Sequence, residues 1–318
     1  MKATKLELDE KIHYLEKKHQ NAILELKKIE MEKARLEHEL KFSEARFRHY
    51  QLTKDKSKNV RIIFITPTYK RFTQKADLVR LSQTLINVPN ILWIVVEDAD
   101  EKNENIYKFL NNSAIPFAHL CSKTPENKKL HENDPNWLIA RGVKQRNEAL
   151  KWIRVNLINH KNAVIYFGDD DNTYDLKLFN EMRTIKKVGI WPVGIVGGLI
   201  VEGPLISQIN GSVIGFNSIW KPERTFPIDM AAFAFNISLL HDFPNAQFMY
   251  NVPRGYQESH ILSSFNISLN DLEPKANMCR NVYVWHTRTE KVSINQKDRI
   301  KFNKGYGITK LEEDALFF

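Results

Sequence analysis

Cysteine is nearly missing from this 318-residue chain, which holds only Cys121 and Cys279. One disulfide is possible and its formation is left open, but a disulfide-stapled scaffold is excluded. No apolar run approaches the roughly 20 residues of a membrane-crossing helix, and no leader pattern opens the sequence. The sequence as it stands is expected to be soluble. Glycine is sparse at 12 residues, and neither G-x-G-x-x-G nor G-x-x-x-x-G-K-[ST] occurs among them. That disfavours a dinucleotide-binding dehydrogenase and a P-loop kinase. Negative charge falls short of positive by nine, and residues 1–58 alone carry 15 Lys/Arg against 11 Asp/Glu. The remaining excess of +5 is mild for so large a body, so nucleic-acid binding is not implied. An anionic small substrate or polysaccharide fits equally well.

What is present divides the chain in two. Leu8, Ile12, Leu15, His19, Ala22, Leu26, Ile29, Lys33, Leu36 and Leu40 recur in alternating steps of four and three. This heptad seam has two polar interruptions, and the first fifty residues contain neither Gly nor Pro. The pattern predicts a coiled-coil stem over residues 1–52 that pairs with its own copy; a solitary charged helix is the alternative. A lysine-rich stretch, 53–59, reads as a linker. Beyond it, hydrophobic content of 42% overall and 11% aromatics match a folded body.

Strands and helices alternate in that body. Residues 61–66, 91–96, 117–121 and 163–167 read as strands, and 74–86 and 141–157 as helices. The alternation predicts an α/β fold with a mostly parallel sheet covered on both faces. After residue 186 the texture turns glycine-rich and antiparallel, and Asn210-Gly211 between two apolar runs signals a hairpin. The expected halves are 60–172 and 173–318.

The strand at 163–167 runs into Gly168-Asp169-Asp170-Asp171-Asn172-Thr173-Tyr174. Three adjacent carboxylates repel one another and call for a cation. Hard oxygen ligands suit Mn²⁺ or Mg²⁺, which commonly share their coordination with substrate phosphates. A solvated acidic turn that caps the next helix is the plainer explanation. Two other strand ends deliver polar groups, Thr66-Pro67-Thr68-Tyr69 and Glu97-Asp98. Convergence at one sheet edge suits a nucleotide: an aromatic ring for the base, carboxylates for base N–H groups and metal. Arg141 and Arg146 offer cations for phosphate or carboxylate. The second half adds Glu202, Arg224, Asp229, Glu258, His286 and Arg288; each alone has an ordinary structural explanation. His286 and Arg288, two apart on an extended segment, face the same side. Four Asn-X-Ser/Thr sequons, at Asn111, Asn210, Asn236 and Asn266, hint at a secretory lumen.

Taken in order, these segments resemble the β-1,3-glucuronyltransferases of glycosyltransferase family 43. The resemblance is carried by Ile65-Thr66-Pro67-Thr68-Tyr69, by Val79-Arg80-Leu81-Ser82-Gln83-Thr84, by Val96-Glu97-Asp98-Ala99 and by Arg141-Gly142-Val143-Lys144-Gln145-Arg146-Asn147. It continues through the aspartate run, Trp191-Pro192-Val193-Gly194, Phe226-Pro227-Ile228-Asp229-Met230-Ala231, Arg254-Gly255-Tyr256-Gln257-Glu258-Ser259 and Val284-Trp285-His286-Thr287-Arg288-Thr289-Glu290-Lys291. It spans residues 61–291 without a large gap.

The resemblance implies a GT-A type nucleotide-diphospho-sugar transferase fold with a donor half and an acceptor half ending in a C-terminal arm. It implies an inverting, Mn²⁺-dependent transfer of glucuronic acid from UDP-glucuronate to the 3-OH of a terminal galactose. The Gal-Gal-Xyl linker of proteoglycans is the first acceptor, and an N-acetyllactosamine-type terminus is the alternative. By the same resemblance Pro67, Thr68 and Tyr69 line the donor site, with Tyr69 stacked on uracil and Asp98 and Arg141 bonded to the base. Asp170 holds ribose and Asp171 ligates the metal. Asp169 steadies Arg146, which recognises glucuronate and phosphates with His286 and Arg288. Glu202, Trp220, Arg224 and Asp229 face the acceptor, and Glu258 is the catalytic base. A homodimer, and a Golgi membrane anchor with the enzyme on the lumenal face, are also implied, although a charged coil stands where an anchor is expected. Gly168 departs from the alanine expected before the aspartates. The rivals are a metal-dependent phosphodiesterase, which lacks further His or carboxylate ligands close by in sequence, and a catalytically inactive coiled-coil scaffold.

Overall fold

The structure, a computed structural model, describes residues 11–33, 36–37, 60–129, 139–290, 292–293 and 314–317. The chain divides into two compact units, residues 1–49 and 50–318. In the first, residues 11–33 are helical, and Ile12, Leu15, Leu26, Ile29 and Leu36 of the expected seam are all exposed. Leu8, Leu40 and the 53–59 linker lie outside the described residues. Among the described residues no helix is long and apolar enough to cross a membrane.

The second unit is built on a mixed seven-stranded sheet. Its parallel centre comprises β1 (Arg61–Thr68), β2 (Ile91–Glu97), β3 (Phe117–Cys121) and β4 (Ala163–Phe167), in the spatial order β4-β1-β2-β3. Helices α1 (Gln74–Leu85), α2 (Glu104–Asn112) and α3 (Val143–Asn156) connect them. Apolar runs make these strands: Ile62, Ile63, Phe64 and Ile65 have no exposed surface, as expected for a sheet covered on both faces. The chain moves from β1 to β2 on one side, and later places β4 on the other. The switch point of the sheet therefore lies between the C-terminal ends of β1 and β4, where open α/β sheets form their ligand crevice.

A four-residue strand and two of three residues extend this sheet. β6 (Val188–Ile190), β10 (Phe233–Asn236) and β11 (Leu272–Pro274) continue it in the order β11-β6-β10-β4, with β10 antiparallel to β4. All three come from beyond residue 173, so the later chain shares the main sheet with the earlier one. A five-stranded sheet completes the body in the order β5-β12-β7-β8-β9. It is formed by β5 (Thr173–Tyr174), β7 (Val193–Val196), β8 (Leu199–Ile206), β9 (Val213–Asn217) and β12 (Val284–Trp285). β8 and β9 are the expected hairpin, but its loop is longer than the Asn210-Gly211 pair: Ser207 N donates to Ser212 O at 2.8 Å and Gly211 N to Ser207 O at 3.0 Å. A bulge at Leu205/Ile206 accompanies it.

Both cysteines are free thiols, which closes the question of a bridge between them. Near the C-terminus, Phe317 is buried against Phe109 of α2, and its carbonyl accepts from Asn103 Nδ2 at 2.8 Å. These last described residues thus rest on the first half of the body.

Candidate active site

Three neighbouring strand ends converge as the spacing predicts. At the end of β1, Thr68 Oγ1 donates to Asp170 Oδ2 at 2.7 Å, directly across the switch point. Arg71 Nη2 donates to Asp170 Oδ1 at 2.6 Å. Asp170 is buried, and burial pushes its carboxyl up to about 6 against the pull of Arg71. Burial likewise raises Asp171, and the neighbouring Asp169 adds to the rise. Asp169 accepts from Arg146 Nη2 at 3.0 Å, the pairing expected of them.

Gly142 makes that pairing possible. It caps α3 with φ of +73°, and an added Cβ would lie 2.4 Å from Arg146 Nη1. Arg146 Nη1 donates back to Arg141 O at 2.9 Å, while Arg141 itself is exposed.

Beside Thr68, a cleft of about 180 Å³ is lined by Tyr69, Lys70, Gln74, Glu97, Asp98, Ala99, Glu101 and Asn103. Tyr69 is half exposed, with the Arg71 guanidinium over its ring at 4.7 Å from the centroid. Asp98 accepts from Thr124 N and Thr124 Oγ1, each at 2.7 Å. Each carboxylate oxygen keeps a second lone pair for a further donor. Pro67 lies in β1 just before this cleft.

The second half adds a linked acid–base group. His286 Nδ1 lies 3.0 Å from Asp229 Oδ2, and Asp229 Oδ1 accepts from Ala231 N at 2.9 Å. Burial alone would push the imidazole down, but Asp229 and Asp169 outweigh it and hold His286 up at about 9. Burial also works against the charge on Asp229; His286 reverses that and leaves the carboxyl below its usual range. Arg288 is exposed beyond them.

Glu258 stands in the first turn of α6 (Gln257–Ser264), with α4 (Leu176–Met182) and α5 (Ile237–Asp242) preceding it in the chain. Its side chain is only 15% exposed, and Arg224 Nη1 is 3.8 Å from Oε2. Burial, and then the charge of Asp229, push its carboxyl up to about 7, with Arg224 and Arg146 pulling the other way. Glu258 therefore shares neighbours with the aspartate run: Arg146 acts on it and pairs with Asp169.

Nearby, Glu202 is buried, raised by that burial, and bonded by Ser218 Oγ at 2.8 Å. Trp220 is 38% exposed beneath the Arg254 guanidinium at 4.5 Å. Arg224 directs its N–H groups to the carbonyls of Lys221, Gly255, Trp220 and Ile228 at 2.7 to 3.4 Å. In this arrangement it braces the loop that carries Trp220.

The sequence reading missed Arg71, Asp77 and Thr289, which join this network. Arg71 sits two residues from Tyr69, so an extended chain places it on the same side as that ring, a cue that was available. Asp77 and Thr289 are 212 positions apart, and nothing local announces their contact. Gly168 has a packing reason: an added Cβ would lie 2.0 Å from Phe64 Cζ.

Comparison with known proteins agrees with the geometry. The model of glycosyltransferase family 43 matches residues 81–290. The galactosylgalactosylxylosylprotein 3-beta-glucuronosyltransferase sqv-8 of Caenorhabditis elegans is 55% identical over 255 residues, covering 80% of this chain and 71% of that protein. Galactosylgalactosylxylosylprotein 3-beta-glucuronosyltransferase 3 of Homo sapiens is 47% identical over 250 residues, covering 76% and 74%. The protein of that activity numbered 1 in Homo sapiens is 45% identical over 236 residues, covering 73% and 70%. An α/β body with mixed sheets, an acid run at its switch point and this degree of identity lead to one conclusion: the chain belongs to glycosyltransferase family 43.

Proposed function

We propose that the protein is an inverting 3-β-glucuronosyltransferase with a GT-A type fold. It moves glucuronic acid from UDP-glucuronate to the 3-OH of the terminal galactose of the Gal-Gal-Xyl proteoglycan linker. The observation that carries this reading is Glu258, a carboxyl with its side chain 15% exposed, 3.8 Å from Arg224 and pushed up to about 7, in the field of the same Arg146 that pairs with Asp169. Neither an inactive scaffold nor a phosphodiesterase requires a lone carboxyl poised there.

The residues fit a shared divalent ion. Asp171 is pushed up by burial and by Asp169, as expected of a carboxylate that wants a cation. Among the described residues no group of three or more His, Cys, Asp or Glu side chains is arranged as a complete metal cage. That suits an ion completed by substrate phosphate oxygens. Asp171 would hold Mn²⁺, which supplies positive charge against the diphosphate when bound.

Tyr69 offers its half-exposed ring to uracil, with Asp98 and Arg141 for the base edge and Pro67 and Thr68 at the strand end. Asp170 accepts from ribose. Arg146, steadied by Asp169, and Arg288 take the glucuronate and phosphate oxygens. His286, cationic at neutral pH because of Asp229, neutralises charge that develops on the leaving diphosphate. Glu258 takes the proton of the attacking galactose hydroxyl as the new bond forms on the face opposite UDP. The anomeric centre inverts in one step, so no second carboxylate is required beneath the sugar. Glu202, Trp220, Arg224 and Asp229 frame the acceptor, with Trp220 as a ring for a sugar face.

The exposed heptad seam supports self-pairing into a homodimer. Family membership supports a Golgi lumenal setting. The test incubates purified protein with Mn²⁺, UDP-glucuronate and galactose-terminated acceptors and identifies the linkage. Transfer to Gal-Gal-Xyl with a β-1,3 bond is expected; preference for N-acetyllactosamine termini would move the acceptor, and no transfer at all would defeat the reading.

A further inference from the structure

Asp77 has no role in the mechanism above, yet it lies 1% exposed in the first turn of α1 with three donors on its two oxygens. Oδ2 accepts from Arg71 Nη2 at 2.8 Å. Oδ1 accepts from Arg80 Nη2 at 3.0 Å and from Thr289 Oγ1 at 2.7 Å. Burial of a carboxylate is costly unless such partners surround it. The helix dipole favours an acid in the first turn but gives no reason to bury it.

All three partners lead into the donor site, Arg80 through a 3.5 Å bond from Nη2 to Asp171 O. The same Arg71 Nη2 donates to Asp170, and its guanidinium covers the Tyr69 ring. Thr289 immediately follows His286, Thr287 and Arg288. After β12 this segment has no secondary structure, so tertiary bonds alone define its path. His286 N donates to Gly194 O at 2.9 Å, Thr287 Oγ1 to Asp171 O at 2.6 Å, and Thr289 Oγ1 to Asp77. His286 Nδ1 also pairs with Asp229, and the Thr289 main chain bonds the Asp171 carboxylate; of the three carboxylates that hold this segment, Asp77 is the most deeply buried.

We propose that Asp77 is a positioning residue. It locks the 286–289 segment onto α1, which holds Arg288 and His286 over the donor's sugar and phosphates, and it keeps Arg71 beside Asp170. The proposal deepens the UDP-glucuronate reading and rests on it. Asp77 touches neither substrate nor the reacting atoms; it acts through Thr289 and Arg71.

The test compares wild type, Thr289→Val, Thr289→Ser, Asp77→Asn and the Asp77→Asn/Thr289→Val double variant. Calorimetric titration with UDP and with UDP-glucuronate is paired with donor KM and kcat. Thr289→Val should lose about tenfold in UDP-glucuronate affinity, with donor KM raised to match, and lose less for UDP, which lacks the glucuronate contacts. Thr289→Ser should restore both. Asp77→Asn should lose more than Thr289→Val, and the double variant should be no worse than Asp77→Asn, since both changes break one tie. Additive losses, or a Thr289→Val variant with wild-type donor affinity, would overturn the proposal. So would equal losses for UDP and UDP-glucuronate together with a lowered Tm, which would mark a merely structural role. Should Asp77→Asn fail to fold, the Thr289 pair decides alone, because that side chain is half-buried and uncharged. A wild-type protein that binds no UDP would instead refute the reading of the site.

Discussion

In the seven-stranded sheet Ile62 to Ile65 have no exposed surface, whereas on the five-stranded sheet Ile200 is 86% and Ile214 65% exposed. The contrast extends to the side chains that each region sends to the site. The first presents Asp170 and Arg146 from strand ends and a helix start, buried and ion-paired at 2.6 to 3.0 Å. The second presents Trp220 and Arg224 from loops braced by main-chain carbonyls. A diphosphate donor carries charge, and fixed counter-charges in a dry setting act on it strongly. A neutral acceptor sugar gains more from shape, an open ring and a few hydrogen bonds. Changes at the donor end should therefore appear in binding, and changes toward the acceptor end in transfer.

The sharpest test of that division is Glu258→Gln. It keeps the shape of α6 and removes the proton acceptor, so transfer should fall by roughly 10²–10⁴. UDP affinity measured by calorimetry should stay within about twofold. Near-normal turnover would remove Glu258 from the chemistry and blur the two regions into one.

Asp171→Ala probes the donor end with the opposite expectation. With Mn²⁺ present, UDP affinity should drop on the order of tenfold or more, because a carboxylate ligand is lost from a shared ion. Without metal, mutant and wild type should bind alike. Equal affinities in both conditions would place the ion elsewhere.

The pH profile tests how the two regions meet. Glu258 must be ionised to accept a proton, so the rate should rise as pH passes about 7. His286 must be protonated, so the rate should fall as pH passes about 9. Asp229→Asn removes the partner that raises His286, and the alkaline limb should move from about 9 toward the ordinary 6.5. An unmoved limb would show that another group carries it.

The donor end was the more legible of the two in the sequence. Runs such as Ile91-Leu92-Trp93-Ile94-Val95-Val96 are long enough to declare a buried strand, and the polar groups follow them directly. The strand at 117–121 agrees with the expectation, and the helix over 141–157 is trimmed to Val143–Asn156 because Gly142 turns the chain. β6, β10 and β11 were not seen, because three or four residues cannot display a period. Their return to the main sheet is a tertiary event. Asp77 escaped for the same reason: on a helix it resembles any first-turn acid, and only the approach of Thr289 distinguishes it.

Gly168 offers the smallest expected effect and a clean separation of packing from chemistry. In the sequence the glycine stood out only as a departure from the expected alanine. The structure gives it a partner, since Phe64 is fully buried and its ring is edge-packed on Tyr166 and Tyr174 at 5.4 and 5.3 Å. With no room to retreat, that ring makes Gly168→Ala an overpacking change of about 1–3 kcal/mol, read as a lower denaturant midpoint. Tyr174 OH donates to Asp169 O at 2.7 Å, so a displaced ring would also disturb the start of the aspartate run. Phe64→Leu on its own should open a small cavity and destabilise as well. Combined, the two should cost less than their sum, because the space lost at one is supplied by the other. Strict additivity would mean that the ring and the added methyl never compete, and Gly168 would then need another explanation.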